Sequence, residues 1–455
     1  MSASVGVNFT LKVVINKEEN KVLFAEVDGN FADVLITVMT LPLGTIVRLL
    51  ANHFADQAPR IGSLSTLYQG LSNLESRHFC SATGKQILLN ARNSLAPLCK
   101  ELKLNLDDSK PTKCFICGEW CYDVVMNRDD LKCKYEDLFR EIILKSSKIK
   151  PADNSGGVFT KETATFLITD DLQVVPNLAG VCIQILNNLG IRDTNELEER
   201  TVPVGLKEIM ELLKASLFSR TPLTDVIMHK SRVDSTNIVI SQLRSSLPHI
   251  TEDSTTKKMI LKAIIRKSTN KVLLAQADED FIDFLFSLLT IPLGRAVCLL
   301  GSNTCLGSAD NLYRSIANLD TERYLNTENL KSALLKPQLP PEYLSKNQIF
   351  SHTEVMSNHY NGSNMNFVDL NRKSGYVKGP AMFMVTDDLV VTPSSAISSL
   401  SLIKNLKIPF SDVEELRFEI GMEEALNILK SSFTSTSALT DGLKPILKRQ
   451  LKQEK

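Results

Sequence analysis

At positions 11–15, and again at 21–27, apolar and β-branched residues predominate, and the polar run Asn16-Lys17-Glu18-Glu19-Asn20 separates the two stretches. Two such runs around a polar loop predict a β-hairpin. Asp28-Gly29-Asn30 then turns the chain, and Asn30 is placed to cap a helix that starts at Phe31. Phe31, Val34, Leu35, Val38 and Met39 fall at helical spacing, so one face of that helix is buried. Pro42, within Leu41-Pro42-Leu43-Gly44, ends or kinks it, because proline lacks the N–H and crowds the preceding turn. A second short helix follows to about Ala51.

The chain writes this pattern twice. At a constant offset of 250 positions, 20 of the 40 residues in 11–50 are identical to those in 261–300. Asp280 stands where Asn30 does and is an equally good cap. A period of domain length reads as a tandem duplication and not as a solenoid. The match resumes at a shorter offset, with Gly62-Ser63, Leu67-Tyr68 and Asn73-Leu74 against Gly307-Ser308, Leu312-Tyr313 and Asn318-Leu319. It returns at Thr169-Asp170-Asp171-Leu172 against Thr386-Asp387-Asp388-Leu389. There Thr-Asp-Asp between apolar runs reads as a hairpin turn, and Pro176 and Pro393 end the second strand alike. Asn188-Leu189 and Asn405-Leu406 close a following helix; 206–217 and 422–433 read as final helices, each followed by Leu-Thr-Asp at 223–225 and 439–441.

Hairpins and helices without strand–helix alternation predict an α+β fold and not a doubly wound parallel sheet. The organisation expected is a first repeat domain over 8–227, a linker over 228–256 and a second repeat domain over 257–443. A basic tail at 444–455 reads as frayed. The first copy is the longer: 108 positions separate Gly62 from Asp170, against 80 between Gly307 and Asp387. The surplus falls in a cysteine-containing insert at about 100–150.

Composition narrows the function classes. Lys plus Arg equals Asp plus Glu, 52 each among 455 residues, so nothing draws the chain as a whole to nucleic acid or to an anionic membrane. The most hydrophobic windows, 31–50 and 281–300, are broken by Asp33, Pro42 and Arg48 and by Asp283, Pro292 and Arg295, which excludes a membrane span there. The start shows neither a signal peptide nor an Arg-rich transit peptide, and nine cysteines fit a reducing compartment; an intracellular protein, cytoplasmic or nuclear, is expected.

One constellation points to sharp chemistry. Cys114 and Cys117 form a C-x2-C-G turn, with Cys121 and Cys133 beyond it. Two thiolates across such a turn can share a zinc ion, and the other two complete a four-sulfur structural site. Four reduced structural thiols are the alternative, since the second C-x2-C pair of the usual site is missing. The pairs Asp170-Asp171 and Asp387-Asp388 invite an acid/base reading, but adjacent side chains in extended chain point to opposite faces, and turn formation explains them. Asp33 and Asp283 read as first-turn helix carboxylates. His352 and His359 read as surface residues. No phosphate loop, dinucleotide fingerprint, zinc-protease motif or nucleophile elbow is present.

The duplicated Lys-Val-Leu hairpin, Leu-Pro-Leu-Gly turn and Thr-Asp-Asp-Leu hairpin resemble a plant-specific family catalogued as domain of unknown function six-seven-four, over nearly the whole chain from Leu11 to Asp441. The resemblance implies a plant protein and brings no reaction, cofactor or catalytic residue. Members of that family often carry Cys-x-Cys-Gly where this chain has Cys133-Lys134-Tyr135-Glu136. Three readings follow. The first is a non-enzymatic soluble interaction or regulatory protein whose partners are proteins. The second is an enzyme or small-molecule binder with a cleft between the halves. The third is a zinc-assisted nucleic-acid binder using the insert, with Trp120 and Tyr122 as stacking surfaces.

Overall fold

The computed structural model describes residues 8–80, 82–93, 95–109, 113–116, 124–126, 140–143, 157–229, 258–337, 349–350, 359–360, 363–364, 366–367 and 375–453. In chain order the first half gives β1 (Phe9–Asn16), β2 (Lys21–Asp28), the short strands β3 (Lys113–Ile116), β4 (Val124–Met126) and β5 (Arg140–Ile143), then β6 (Thr165–Thr169), β7 (Val174–Pro176) and β8 (Leu197–Val204). The second half gives β9 (Met259–Arg266), β10 (Lys271–Asp278), the short β11 (His359–Tyr360), β12 (Ser363–Asn364) and β13 (Asn366–Phe367), then β14 (Met382–Thr386), β15 (Val391–Pro393) and β16 (Val413–Ile420).

These build two five-stranded antiparallel sheets of the same order, β7-β6-β2-β1-β8 and β15-β14-β10-β9-β16. Corresponding hairpins share a register, Lys12 opposite Glu26 and Lys262 opposite Gln276, and each carries a bulge at the same place. Phe9, Leu11, Val13 and Ile15 alternate with exposed Thr10 and Lys12, so one face of the sheet is buried by period-two patterning. The α+β expectation holds, with the two predicted hairpins of each half joined in one sheet.

Helices Gly29–Thr37 and Glu279–Leu288 follow the first hairpin of each half. The cap is not Asn30 or Asp280: Asp28 and Asp278 accept the N–H of Phe31 and Phe281, and the helix starts two residues earlier than read. Pro42 and Pro292 each stand at the N-cap of the next helix, Leu43–Phe54 and Leu293–Leu299, outside any strand, as the helix-ending role of proline requires. As far as Gln453 the basic tail is not frayed. Ala438–Gln453 is one helix, Leu447 is buried, and Arg449 pairs with Glu423 at 2.8 Å. The expected linker, 228–256, lies outside the described residues beyond His229.

One hydrophobic core runs through both halves. Pro42 and Pro292 form an antiparallel bridge across the junction. Leu43 donates to the Ile291 carbonyl and Leu293 to the Leu41 carbonyl, both at 2.9 Å, and Gly44 donates to Leu289 at 2.7 Å.

Candidate functional site

Several residues that the sequence repeats make contacts between the halves at this junction, so the candidate site is built outward from it. Past the Leu-Pro-Leu-Gly turn, each half sends a helix to the other half's sheet. Helix Leu64–Asn73 of the first half reaches the second sheet's hairpin turn: Thr66 donates to the Asp388 carbonyl, and Ser63 Oγ donates to the Ser435 carbonyl at 2.7 Å. Reciprocally, helix Ala309–Asn318 reaches the first: Asn311 Nδ2 donates to the Asp171 carbonyl at 2.9 Å, and Ser308 Oγ donates to the Ser219 carbonyl at 3.0 Å. Ser315 Oγ accepts the N–H of Val174 at 2.9 Å, capping an edge of the first sheet that would otherwise be open.

The exchange explains the aligned glycines. Gly62 and Gly307 have φ of +44° and +33°. A Cβ on Gly62 would stand 2.5 Å from the Ser432 carbonyl oxygen, and one on Gly307 2.6 Å from that of Ser219. Backbones of opposite halves touch there, and a side chain would push them apart.

Asp33 and Asp283 fall past the first turn of their helices, which start at Gly29 and Glu279, so the first-turn reading does not hold. Asp33 is buried, and its carboxylate accepts the N–H groups of Val158 (2.6 Å), Phe159 (3.1 Å) and Thr160 (2.9 Å). Asp283 accepts those of Tyr376 (3.0 Å) and Val377 (2.9 Å) in the same way. The segments so held are the ones that meet the opposite half. Thr160 bridges Leu325 and Val377 bridges Phe79, while Asn326 N–H donates to Phe159 and Cys80 N–H to Tyr376, both at 2.9 Å. Burial pushes the Asp33 carboxyl up to about 6, although its backbone and Thr160 hydrogen bonds pull the other way.

The Thr-Asp-Asp turns divide their work. Asp170 accepts the N–H and hydroxyl of Thr224, the middle residue of Leu-Thr-Asp, at 2.8 and 2.9 Å, and Thr224 Oγ1 in turn accepts the N–H of Val22. Asp387 receives the Thr440 N–H at 2.8 Å in the second half. Burial raises both carboxyls, that of Asp170 to about 6. Asp171 and Asp388 instead accept from their own turn threonines, Thr169 and Thr386, at 2.5 Å. The two carboxylates of each turn therefore face different partners: they lie in the turn itself and not in extended chain, and among these contacts no pair shares one position.

Among the described residues, no group of three or more His, Cys, Asp or Glu is arranged to hold a metal ion. Of the four predicted zinc ligands, Cys114 lies on β3, opposite Ile142 of β5; Cys117, Cys121 and Cys133 lie outside the described residues, as do Trp120, Tyr122 and His352. Cys99 is buried, and burial pushes its thiol up to about 12, which leaves it inert at neutral pH. The two best-formed gaps in the described structure are apolar, and neither holds more than a water-sized molecule. The second of them lies at the junction, lined by apolar side chains that include Leu43, Leu64, Leu293 and Phe433.

Sequence reasoning missed the exchange and the positive φ of Leu172 and Leu389, 62° and 66°. Leucine gives no signal for that conformation; the two side chains are wholly buried, which holds the backbone there. No helix among the described residues is long and apolar enough to cross a membrane. No curated protein and no solved structure matches the chain. A family model does, the one described as "Protein of unknown function (DUF674)", over residues 6–418, and the chain belongs to that family.

Proposed function

We propose that the protein is a non-enzymatic interaction or regulatory protein of plants, working inside the cell on protein partners. One observation carries this reading. The repeated carboxylates that an acid/base enzyme would employ, Asp33, Asp283, Asp170 and Asp387, are occupied by backbone N–H groups that fasten one half to the other or close a turn. What the two halves have in common is thus assembly, which leaves recognition to the surfaces and loops. We read the halves as descendants of one duplicated module, on the 20 identities in 40 residues and the matching sheet order. For Cys114, Cys117, Cys121 and Cys133 the proposal is a structural zinc ion that orders the insert.

Affinity capture with the full-length chain, followed by mass spectrometry and reconstitution from purified components, tests the reading. A stoichiometric protein partner is expected. Turnover of a small molecule by the purified chain, with no such partner, would replace this reading with the enzymatic one.

A further inference from the structure

In each sheet one edge meets an exchanged helix and the other ends the sheet. At the first kind, Ser315 accepts the N–H of Val174 on β7, and a Cβ on Gly70 would stand 3.1 Å from the Val391 nitrogen on β15. At the second kind, β8 and β16 have no further strand beside them among the described residues. The phase of both ladders is fixed at their ends: Lys17 donates to the Glu196 carbonyl opposite it, and Lys267 to that of Asp412, both at 2.9 Å. Hydrogen-bonded pairs alternate along an antiparallel ladder. Leu197, Glu199, Thr201 and Pro203 of β8 therefore turn their backbone groups outward, and so do Val413, Glu415, Arg417 and Glu419 of β16.

The two edges differ at one aligned position. Pro203 has no N–H to offer, which blunts β8 against a further strand. Glu419 stands at the same place on β16 and keeps its N–H. An edge that keeps its donors and acceptors can add a strand, and charge selects which one. Two copies of β16 laid antiparallel about a two-fold axis overlap most fully with Glu415 opposite Arg417 and Val413 opposite Glu419, each pair formed twice. Glu415, Arg417 and Glu419 are exposed. Within its own sheet Arg417 lies opposite Lys262, and like charges directly opposite each other are unfavourable. Glu415 of a second copy, arriving on the other side of Arg417, offsets that repulsion. Sliding this register by two residues, the smallest step that keeps the hydrogen bonds, sets Glu415 against Glu415 or Arg417 against Arg417.

We propose that the protein forms a two-fold dimer in which β16 of one copy pairs antiparallel with β16 of another, joining their second-half sheets into one. The same surface serves both copies, so the assembly closes at two. Pairing β16 with β8 would instead run head to tail into filaments, which Pro203 opposes. The proposal goes beyond the interaction reading and does not depend on it.

Sedimentation velocity of the full-length protein, from micromolar concentration upward, tests it. A species of twice the chain mass is expected. Glu419→Pro, which copies the first half, should leave only monomer with thermal unfolding unchanged. Glu415→Arg and Arg417→Glu each set like charges face to face and should each weaken the dimer by about tenfold or more. The combined Glu415→Arg/Arg417→Glu variant restores the attraction and should dimerise like the unaltered chain. If Glu419→Pro does not fold, the three charge variants, all at exposed positions, decide alone. A monomer at every concentration, filaments of growing mass, a dimer that the single charge reversals leave intact, or a combined variant as weak as either single one would overturn the proposal.

Discussion

Asp33 holds the N–H of Thr160 at 2.9 Å, and Thr160 in turn pairs with Leu325 of the other half. The carboxylate is therefore a support of the junction and not of its own helix alone. Asp33→Asn keeps the shape but turns one accepting oxygen into a donor facing backbone N–H groups. The expected loss is about 2 kcal/mol, the cost of leaving buried donors without an acceptor. Asp283→Asn should cost a similar amount. Because one core serves both halves, urea unfolding followed by circular dichroism should show a single transition that either substitution moves as a whole. Two transitions, with each variant moving a different one, would mean that the halves are thermodynamically independent.

Acidity tests the same carboxylates. Asp33 and Asp170 are both raised to about 6 by burial, above the ordinary value of 3.8. The folded form then binds protons more tightly than the unfolded chain. The stability each group contributes is complete below about 3.8 and is lost as the pH rises through about 6. Between pH 7.5 and pH 5 each should add roughly 1 kcal/mol. The urea midpoint should accordingly rise on acidification over that range, and rise less in Asp33→Asn. A midpoint that falls instead would mean that the N–H groups, and not burial, set these carboxyls.

Gly44 and Gly294 differ in how much room the junction leaves them. A Cβ on Gly44 would meet the Leu289 carbonyl oxygen at 3.0 Å; on Gly294 it would stand 2.8 Å from that of Leu334 and 3.0 Å from that of Met39. Both substitutions to alanine overpack the site, at about 1–3 kcal/mol. Gly294→Ala, facing two backbone oxygens, should be the worse. Melting temperatures of the two variants decide it, and equal values would show that the junction yields on both sides.

Several of these features were legible in the sequence for identifiable reasons. The hairpins, the proline positions and the final helices follow from local periodicity and from the missing proline N–H, which need no tertiary context. The strands β8 and β16 gave no such signal, because Leu197–Val204 and Val413–Ile420 are edge strands that carry consecutive charges, Glu198-Glu199 and Glu414-Glu415, and these break the apolar alternation that marks a strand. The true caps, Asp28 and Asp278, lay two residues too early for a reading that took the helix to begin at the first apolar position. The role of Asp33 was beyond the sequence altogether. Its partners stand more than 120 positions away, across a stretch that the two halves do not share.

The insert gives the sharpest chemical prediction. Lys113–Ile116 lies between Val124–Met126 and Arg140–Ile143 in a small sheet, and Asn366–Phe367 of the second half adds a parallel strand to it. Cys114 sits on Lys113–Ile116, and Cys117 follows it directly in sequence. A sheet of three- and four-residue strands buries too little to stand alone, so something must tie its ends. Four thiolates about 2.3 Å from a zinc ion would do so, since metal binding of this kind is folding free energy. Protein purified without chelator should then contain about one equivalent of zinc. Cys117→Ser should release it and open positions 110–134 to protease, while the urea transition of the two large sheets stays where it was. Less than about a tenth of an equivalent would leave Cys114, Cys117, Cys121 and Cys133 as reduced thiols, and the small sheet would then owe its order to packing against the second half.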